Sequence, residues 1–450
     1  MSIYADDVVN FTSVLKMSYN FLTGKEYVKR KRGRERRKVI SVALGFPDLV
    51  FAVGAIPVFP IRLESFKINK ILLALNSAKT VLGWNLTSKV LDLVRQFDIL
   101  KLVDKILEDV IESINEKYNE VHDLGVKSGI PENLCFGVKT LYGMHESIKT
   151  ELDANLNFAM RCGEWNKYSE SLKDLVPNQI WVNLPSSSSP NNEKLALEQM
   201  VENINKAIEQ LEELTGNIVT DESLRKQFRI GNQVKRYYKK VLHEISISDF
   251  YPCNPATFAE ILALLTLSFQ DYNSNAQRYL ENISQLVKEM KERINKGIGM
   301  DVSDMPRLLL FPVFAGFEPK CHEIIYELGG RTLYADWDVF GLLEEIPVSN
   351  KIDPIEEYAR FLLNSSRKGI GCDDKNLTDS CLKAAREFNI DGIIFNRVFG
   401  CSSLSNIYDS IIEKSKKELG IPAITINFSR IGENVEDAKN RLRDFMELFK

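Results

Sequence analysis

Residues 392–426 read GIIFNRVFGCSSLSNIYDSIIEKSKKELGIPAITI. A short apolar run, Gly392-Ile393-Ile394-Phe395-Asn396, leads to Cys401. A helical pattern from about 404 to 419 follows, and then a second apolar run, Pro422-Ala423-Ile424-Thr425-Ile426. Runs this short, β-branched and bounded by Gly or Pro predict strands buried on both faces. Two of them separated by a helix predict parallel neighbours joined by a right-handed crossover.

The same unit recurs outward from this stretch. Arg307-Leu308-Leu309-Leu310-Phe311-Pro312 predicts a strand, 321–328 a helix stopped by Gly329-Gly330, and Thr332-Leu333-Tyr334-Ala335 a strand ending in Asp336-Trp337-Asp338. Residues 382–388 predict a helix. The first half repeats this order. Residues 39–44 predict a strand, 48–53 a helix closed by Gly54, and 56–59 a second strand. Residues 76–122 are helical by pattern, with Leu91, Val94, Ile99, Leu102, Val103, Ile106 and Val110 at three- and four-residue steps. Cys135 closes a loop before a helix at 136–144, and strands are expected at 157–160 and 180–184.

Between the halves, PSSSSPNN at 185–192 predicts a linker. Residues 193–296 predict helices, the first stopped by Gly216 and the second capped by Asp221. The expected fold class is α/β, with two parallel-sheet, flavodoxin-like domains joined by a helical segment. The first spans 1–184 with a helical insertion at 76–130; the linker is 185–192, the helical region 193–300, and the second α/β domain 301–450.

Composition narrows the function classes. The chain has 450 residues, 44% hydrophobic and 27% charged, enough for large cores. Its 58 Lys+Arg against 62 Asp+Glu give a net charge of -4, so no overall field draws nucleic acid. No apolar run approaches the ~18 residues of a membrane span. Asp6 and Asp7 stand where a secretory signal is basic and then apolar, so a cytoplasmic location is expected. The sequence has no G-x-G-x-x-G, no G-x-x-x-x-G-K-[ST] and no G-x-S-x-G. His322-Glu323-Ile324-Ile325-Tyr326 resembles a zincin motif but has Tyr326 in place of the second His.

The seven cysteines lie at 135, 162, 253, 321, 372, 381 and 401, with no Cys-x-x-Cys pair. That excludes zinc ribbons, thioredoxin-type redox motifs and bacterial ferredoxin runs, but not a site gathered from distant segments. An ordinary buried Cys is a small hydrophobe. Cys162 and Cys401, however, each follow the third strand of their half, and ligands in open α/β sheets collect at the carboxyl ends of strands. Cys135, at a loop-to-helix junction, joins them. Cys253, Cys321, Cys372 and Cys381 keep the ordinary reading. Asp336 and Asp338, at a strand end, are candidate proton shuttles or helix caps. The basic run Lys29–Lys38 (KRKRGRERRK) is a candidate phosphate binder or a solvated face.

Several segments together resemble the 2-hydroxyacyl-CoA dehydratases and ATP-dependent benzoyl-CoA reductases. They are KVISVALGFPDLVFAVGAIPV, PENLCFGVKTLYG, PRLLLFPVFAGFEPKCHEIIYELGGRTLYADWD and IDGIIFNRVFGCSSLSN, the last followed by KELGIPAITINFSR and NRLRDFMELF. The resemblance runs from about Tyr27 onward and is closest to the 2-hydroxyglutaryl-CoA dehydratase D-component, with Gly400-Cys401-Ser402-Ser403 nearer the larger subunit of such pairs. It implies a [4Fe-4S] cluster on Cys135, Cys162 and Cys401, alone or within a double-cubane cluster; Ser402 and Ser403, beside Cys401, are candidate hydrogen-bond donors to cluster sulfur or caps of the next helix. Three thiolates leave one iron open as a Lewis acid.

The implied partners are a related second subunit or a second copy, an ATP-hydrolysing iron-sulfur activator and an acyl-CoA, with no nucleic acid and no membrane. The implied reaction is radical, ketyl-type dehydration of an (R)-2-hydroxyacyl-CoA to a 2-enoyl-CoA; Asp336 is its candidate catalytic residue. A benzoyl-CoA-type or double-cubane reductase subunit is the alternative, and a cluster-less acyl-CoA-binding scaffold the third reading. Gly163, where the family often has Asp, and the long stretch at 76–130 are departures.

Overall fold

In a computed structural model, which describes residues 11–42, 46–66, 100–159, 162–184, 192–370, 374–404 and 407–450, the chain forms two four-stranded parallel sheets. The first contains β1 (Val39–Val42), β2 (Ile56–Val58), β3 (Ala154–Ala159) and β4 (Gln179–Asn183), in the order β2-β1-β3-β4. A two-stranded antiparallel ribbon, β5 (Phe250–Tyr251) with β6 (Met300–Asp301), comes next in the chain. The second sheet contains β7 (Arg307–Phe311), β8 (Arg331–Leu333), β9 (Gly392–Val398) and β10 (Ala423–Phe428), in the order β10-β9-β7-β8. Counted within each half, both sheets have the strand order 2-1-3-4. The first strand of each is buried along its whole length, as VISV and RLLLF require.

The expected α/β fold with two parallel sheets is therefore present. The helices Glu193–Thr215, Asp221–Lys240, Pro255–Phe269 and Ala276–Asn295 lie between the sheets in the chain. A continuous apolar core joins them to both, including Ile40, Leu156, Leu262 and Ile394. Three local expectations change. The second of these helices is capped by Thr220, not Asp221: Thr220 and Ser223 form a reciprocal capping box, which satisfies two amides where a single Asp satisfies fewer. The ribbon β5–β6 interrupts the helical region; its strands are too short for a period to register. The strand expected at 332–335 ends at Leu333, and Asp336–Val339 is a short helix. Part of the expected helix at 76–122, most of the linker at 185–192, and Cys372 lie outside the described residues.

One packing contact sets the position of Cys135. Helix Leu100–Lys127 packs on helix Phe136–Ile148, and their backbones nearly touch at two glycines. A Cβ on Gly143 would lie 1.7 Å from the Val121 carbonyl oxygen, and one on Gly125 would lie 2.1 Å from that of Lys139. Only hydrogen fits at either place. The start of helix Phe136–Ile148, where Cys135 is the N-cap, is thereby held in place. Among the described residues no helix is long and apolar enough to cross a membrane.

Candidate functional site

The carboxyl ends of strands from both sheets face one cavity of about 250 Å3. Phe59 reaches it from beyond β2, Cys162 from beyond β3, residues 313–317 and Pro319 from beyond β7, Tyr334 from beyond β8 and Cys401 from beyond β9. Cys135 and Phe136 line it from the start of their helix. Ile114 and Tyr118 add a wall from Leu100–Lys127, and Glu260, Ala263, Leu264 and Leu267, at steps of three and four, add another from Pro255–Phe269.

All three cysteines singled out in the sequence thus line the same cavity. The other described thiols do not: Cys253, Cys321 and Cys381 are fully buried elsewhere. Burial pushes Cys381 up to about 12 and Cys321 higher still, as expected of inert core thiols. Burial also raises Cys135, to about 11, and the nearby Cys162 adds to that shift. The amides at the start of its helix pull the other way. Cys162 likewise caps a helix, Gly163–Ser171, and its Sγ accepts from the Trp165 amide at 3.4 Å. Burial raises its pKa, and a hydrogen bond from Ser403 opposes that. Ser403 belongs to the second half, so this bond crosses between the halves. Ser402 crosses too, donating to the Glu164 carboxylate.

Gly400 makes the third crossing, at φ +74°. A Cβ there would lie 2.4 Å from the Asn133 carbonyl oxygen and 2.9 Å from the Cys135 amide nitrogen. The residue before Cys401 therefore rests directly on the backbone that carries Cys135. Among the described residues, no three His, Cys, Asp or Glu side chains close on a common point in the manner of ligands to a single metal ion.

A family model described as 2-hydroxyglutaryl-CoA dehydratase, D-component, matches residues 104–449. The chain belongs to this family. The match covers both sheets except β1 and β2 and includes all three cavity cysteines. This D-component relative is also similar to the (R)-phenyllactyl-CoA dehydratase beta subunit of Clostridium sporogenes, at 24% identity over 257 residues. That alignment covers 53% of the chain and 60% of the clostridial protein.

The other sequence candidates occupy different places in the D-component chain. Asp336 does not line the cavity. Its Oδ2 accepts from the amides of Val313 (2.7 Å) and Phe314 (2.9 Å), so it anchors the loop after β7, and burial pushes its pKa up to about 7. Asp338 pairs with His243 at 3.2 Å and Lys239 at 3.9 Å, also away from the cavity. Part of the basic run fastens its own segment down. Arg32 bonds Asp153 at 3.0 Å, and Arg37 donates to the carbonyls of Gly54 and Ala55. Lys29, Arg30 and Arg34 are exposed.

Sequence reasoning missed Glu260. It lines the cavity, and its Oε1 lies 2.9 Å from Nε2 of the buried His322, whose Nδ1 lies 3.0 Å from the Tyr334 hydroxyl. The signal was present as the one charged residue in TFAEILALLTLSF.

Proposed function

We propose that the chain is the iron-sulfur subunit of a cytoplasmic 2-hydroxyacyl-CoA dehydratase, removing water from an (R)-2-hydroxyacyl-CoA to give the 2-enoyl-CoA. The carrying observation is that Cys135, Cys162 and Cys401 line one cavity at the strand ends of a D-component fold. The donor set fits a [4Fe-4S] cluster. Each thiolate of such a cube binds its own iron, so thiols spread along a cavity wall suit it better than they suit one ion. When bound, the cluster supplies a one-electron store and, with three protein ligands, an iron open to an oxygen ligand. The amides at the start of the helices behind Cys135 and Cys162 offset part of the burial that raises both thiols.

The cavity also supports a substrate class. Its walls are mostly apolar, including Val14, Ile114, Met144, Leu264, Phe314 and Trp337. Among the described lining residues, Glu260 is the one with an ionisable carboxylate or amine, and there is no Lys or Arg. A second carboxylate would find no cation among the described lining residues and would meet Glu260, which favours an apolar acyl group, aryl or branched alkyl. The electron donor in this reading is a separate ATP-hydrolysing iron-sulfur activator. A related second subunit, or a second copy, completes the assembly.

Anaerobic isolation with iron and sulfide counting tests this reading. About four irons per chain are expected. Turnover of a 2-hydroxyacyl-CoA is expected once activator and ATP are added. Iron near zero after reconstitution would remove the proposal.

A further inference from the structure

We propose that Glu260, held by His322 and Tyr334, is the group that takes the C3 proton of the acyl-CoA. The proposal rests on the dehydratase reading above. A carboxylate is costly in an apolar wall and is retained there only with partners or a task. Glu260 has both a partner and access: its side chain is 17% exposed, towards the cavity, and its Oε1 is held at 2.9 Å by Nε2 of His322.

The carboxylate sets the first hydrogen-bond direction: an ionised Glu260 can only accept, so Nε2 of His322 donates to it. Burial pushes the Tyr334 phenol well above the usual value, so it keeps its proton, which it can donate to the Nδ1 that a neutral imidazole leaves as an acceptor. A neutral imidazole that accepts at Nδ1 carries its proton on Nε2 and donates to Glu260. The carboxylate is thus oriented by the imidazole N–H, with its remaining face on the mostly apolar cavity. Cys321 and Glu323, on the helix Lys320–Glu327 that carries His322, are the other titratable groups near Tyr334.

The step balances. A Glu260 oxygen takes the C3 hydrogen as a proton, and the electron pair of that C–H bond becomes the second bond between C2 and C3. The C2–O bond breaks and hydroxide leaves with its pair. The proton on Glu260 then joins the hydroxide, so water departs and the carboxylate is restored. No electron is gained or lost overall: the single electron supplied by an ATP-driven iron-sulfur reductant is returned at the end of each turnover.

The test uses the iron-loaded full chain with its partner subunit, activator and an aryl or branched 2-hydroxyacyl-CoA. Glu260→Gln is expected to keep the wild-type iron and sulfide count and to bind the acyl-CoA within about threefold by calorimetry. Its kcat is expected to fall about 10²- to 10⁴-fold. Glu260→Asp should recover part of that loss, and added formate should partly rescue Glu260→Ala. His322, a positioning residue, is tested by His322→Gln, which should lower kcat about tenfold with KM little changed; this arm stands even if a Glu260 variant misfolds. Glu260→Gln with wild-type kcat beside an active wild type would overturn the proposal alone. A wild type that holds iron and binds thioester but never turns over would fell the dehydratase reading, and this proposal with it.

Discussion

The two sheets share one strand order but differ in what stands at their strand ends. In the first half, a buried histidine, His145, has neutral partners. Its Nε2 meets the Ser41 hydroxyl at 2.8 Å, and its Nδ1 meets the Tyr168 hydroxyl at 2.6 Å and the Leu141 carbonyl at 2.8 Å. It does not line the cavity. In the second half, His322 also meets a tyrosine, but its other nitrogen meets a carboxylate that opens into the cavity. The first half supplies two cysteines and the second supplies one. The scaffold is repeated and the chemistry is divided, because packing constrains strands while strand-end loops are free to differ.

The strongest way to break this comparison is to remove one half's contribution. Cys401→Ser should abolish stable iron binding, taking about four irons per chain to near zero after anaerobic reconstitution. Cys381→Ser, in the same half but in a fully buried core, should leave iron unchanged. Equal iron in both variants would show that the cavity thiols are no different from the core thiols.

The histidines provide a second contrast, read from stability against pH. Burial pushes folded His145 from 6.5 down to about 4. Between these values the unfolded chain binds a proton that the folded chain refuses. The contribution of His145 to stability therefore falls as pH drops from about 6.5 to about 4, by up to about 3 kcal/mol, and is constant above. His145→Gln removes this slope. Asp48, pushed up to about 6, and Asp336, at about 7, act in the opposite sense, favouring the folded state at low pH. The informative quantity is thus the difference between wild-type and variant urea-unfolding free energies at pH 4.5 and 7.5. A constant difference would show that His145 is not held neutral.

Much of the scaffold was legible in the sequence because buried parallel strands are short β-branched runs with Gly or Pro at their borders, as in 39–42 and 307–311. Cys162 and Cys401 were legible because each directly follows such a run. What was not legible depended on pairings between distant segments. Glu260 lies 62 residues from His322, and no local pattern links them. Asp336 looked like a free strand-end carboxylate, yet the amides of Val313 and Phe314, more than twenty residues earlier, occupy it. The basic run read as a phosphate binder or a solvated face, and of its members Arg32 and Arg37 are used on Asp153 and on the turn before β2. The sequence shows the donors; the fold decides whether they are already used.

The smallest expected effect tests whether the halves must touch for the site to exist. Gly400→Ala adds one methyl group beside Cys401. At φ +74° an alanine is already strained, and its Cβ would press on the carbonyl of Asn133 and the amide of Cys135, neither of which is a flexible side-chain end. Relief requires the Cys401 loop to lift from the Cys135 junction. Urea unfolding should show a loss of about 2 kcal/mol. The more specific sign is that iron should be lost faster on chelator challenge, since the third thiolate moves relative to the other two. Gly216→Ala is the control. Gly216 also has positive φ, at +71°, but its Cβ would meet nothing within 4 Å, so it should cost stability through strain alone and leave chelation kinetics as in the wild type. If both variants lose iron at the wild-type rate, contact between the Gly400 loop and the Cys135 backbone is not what holds the three sulfurs in register.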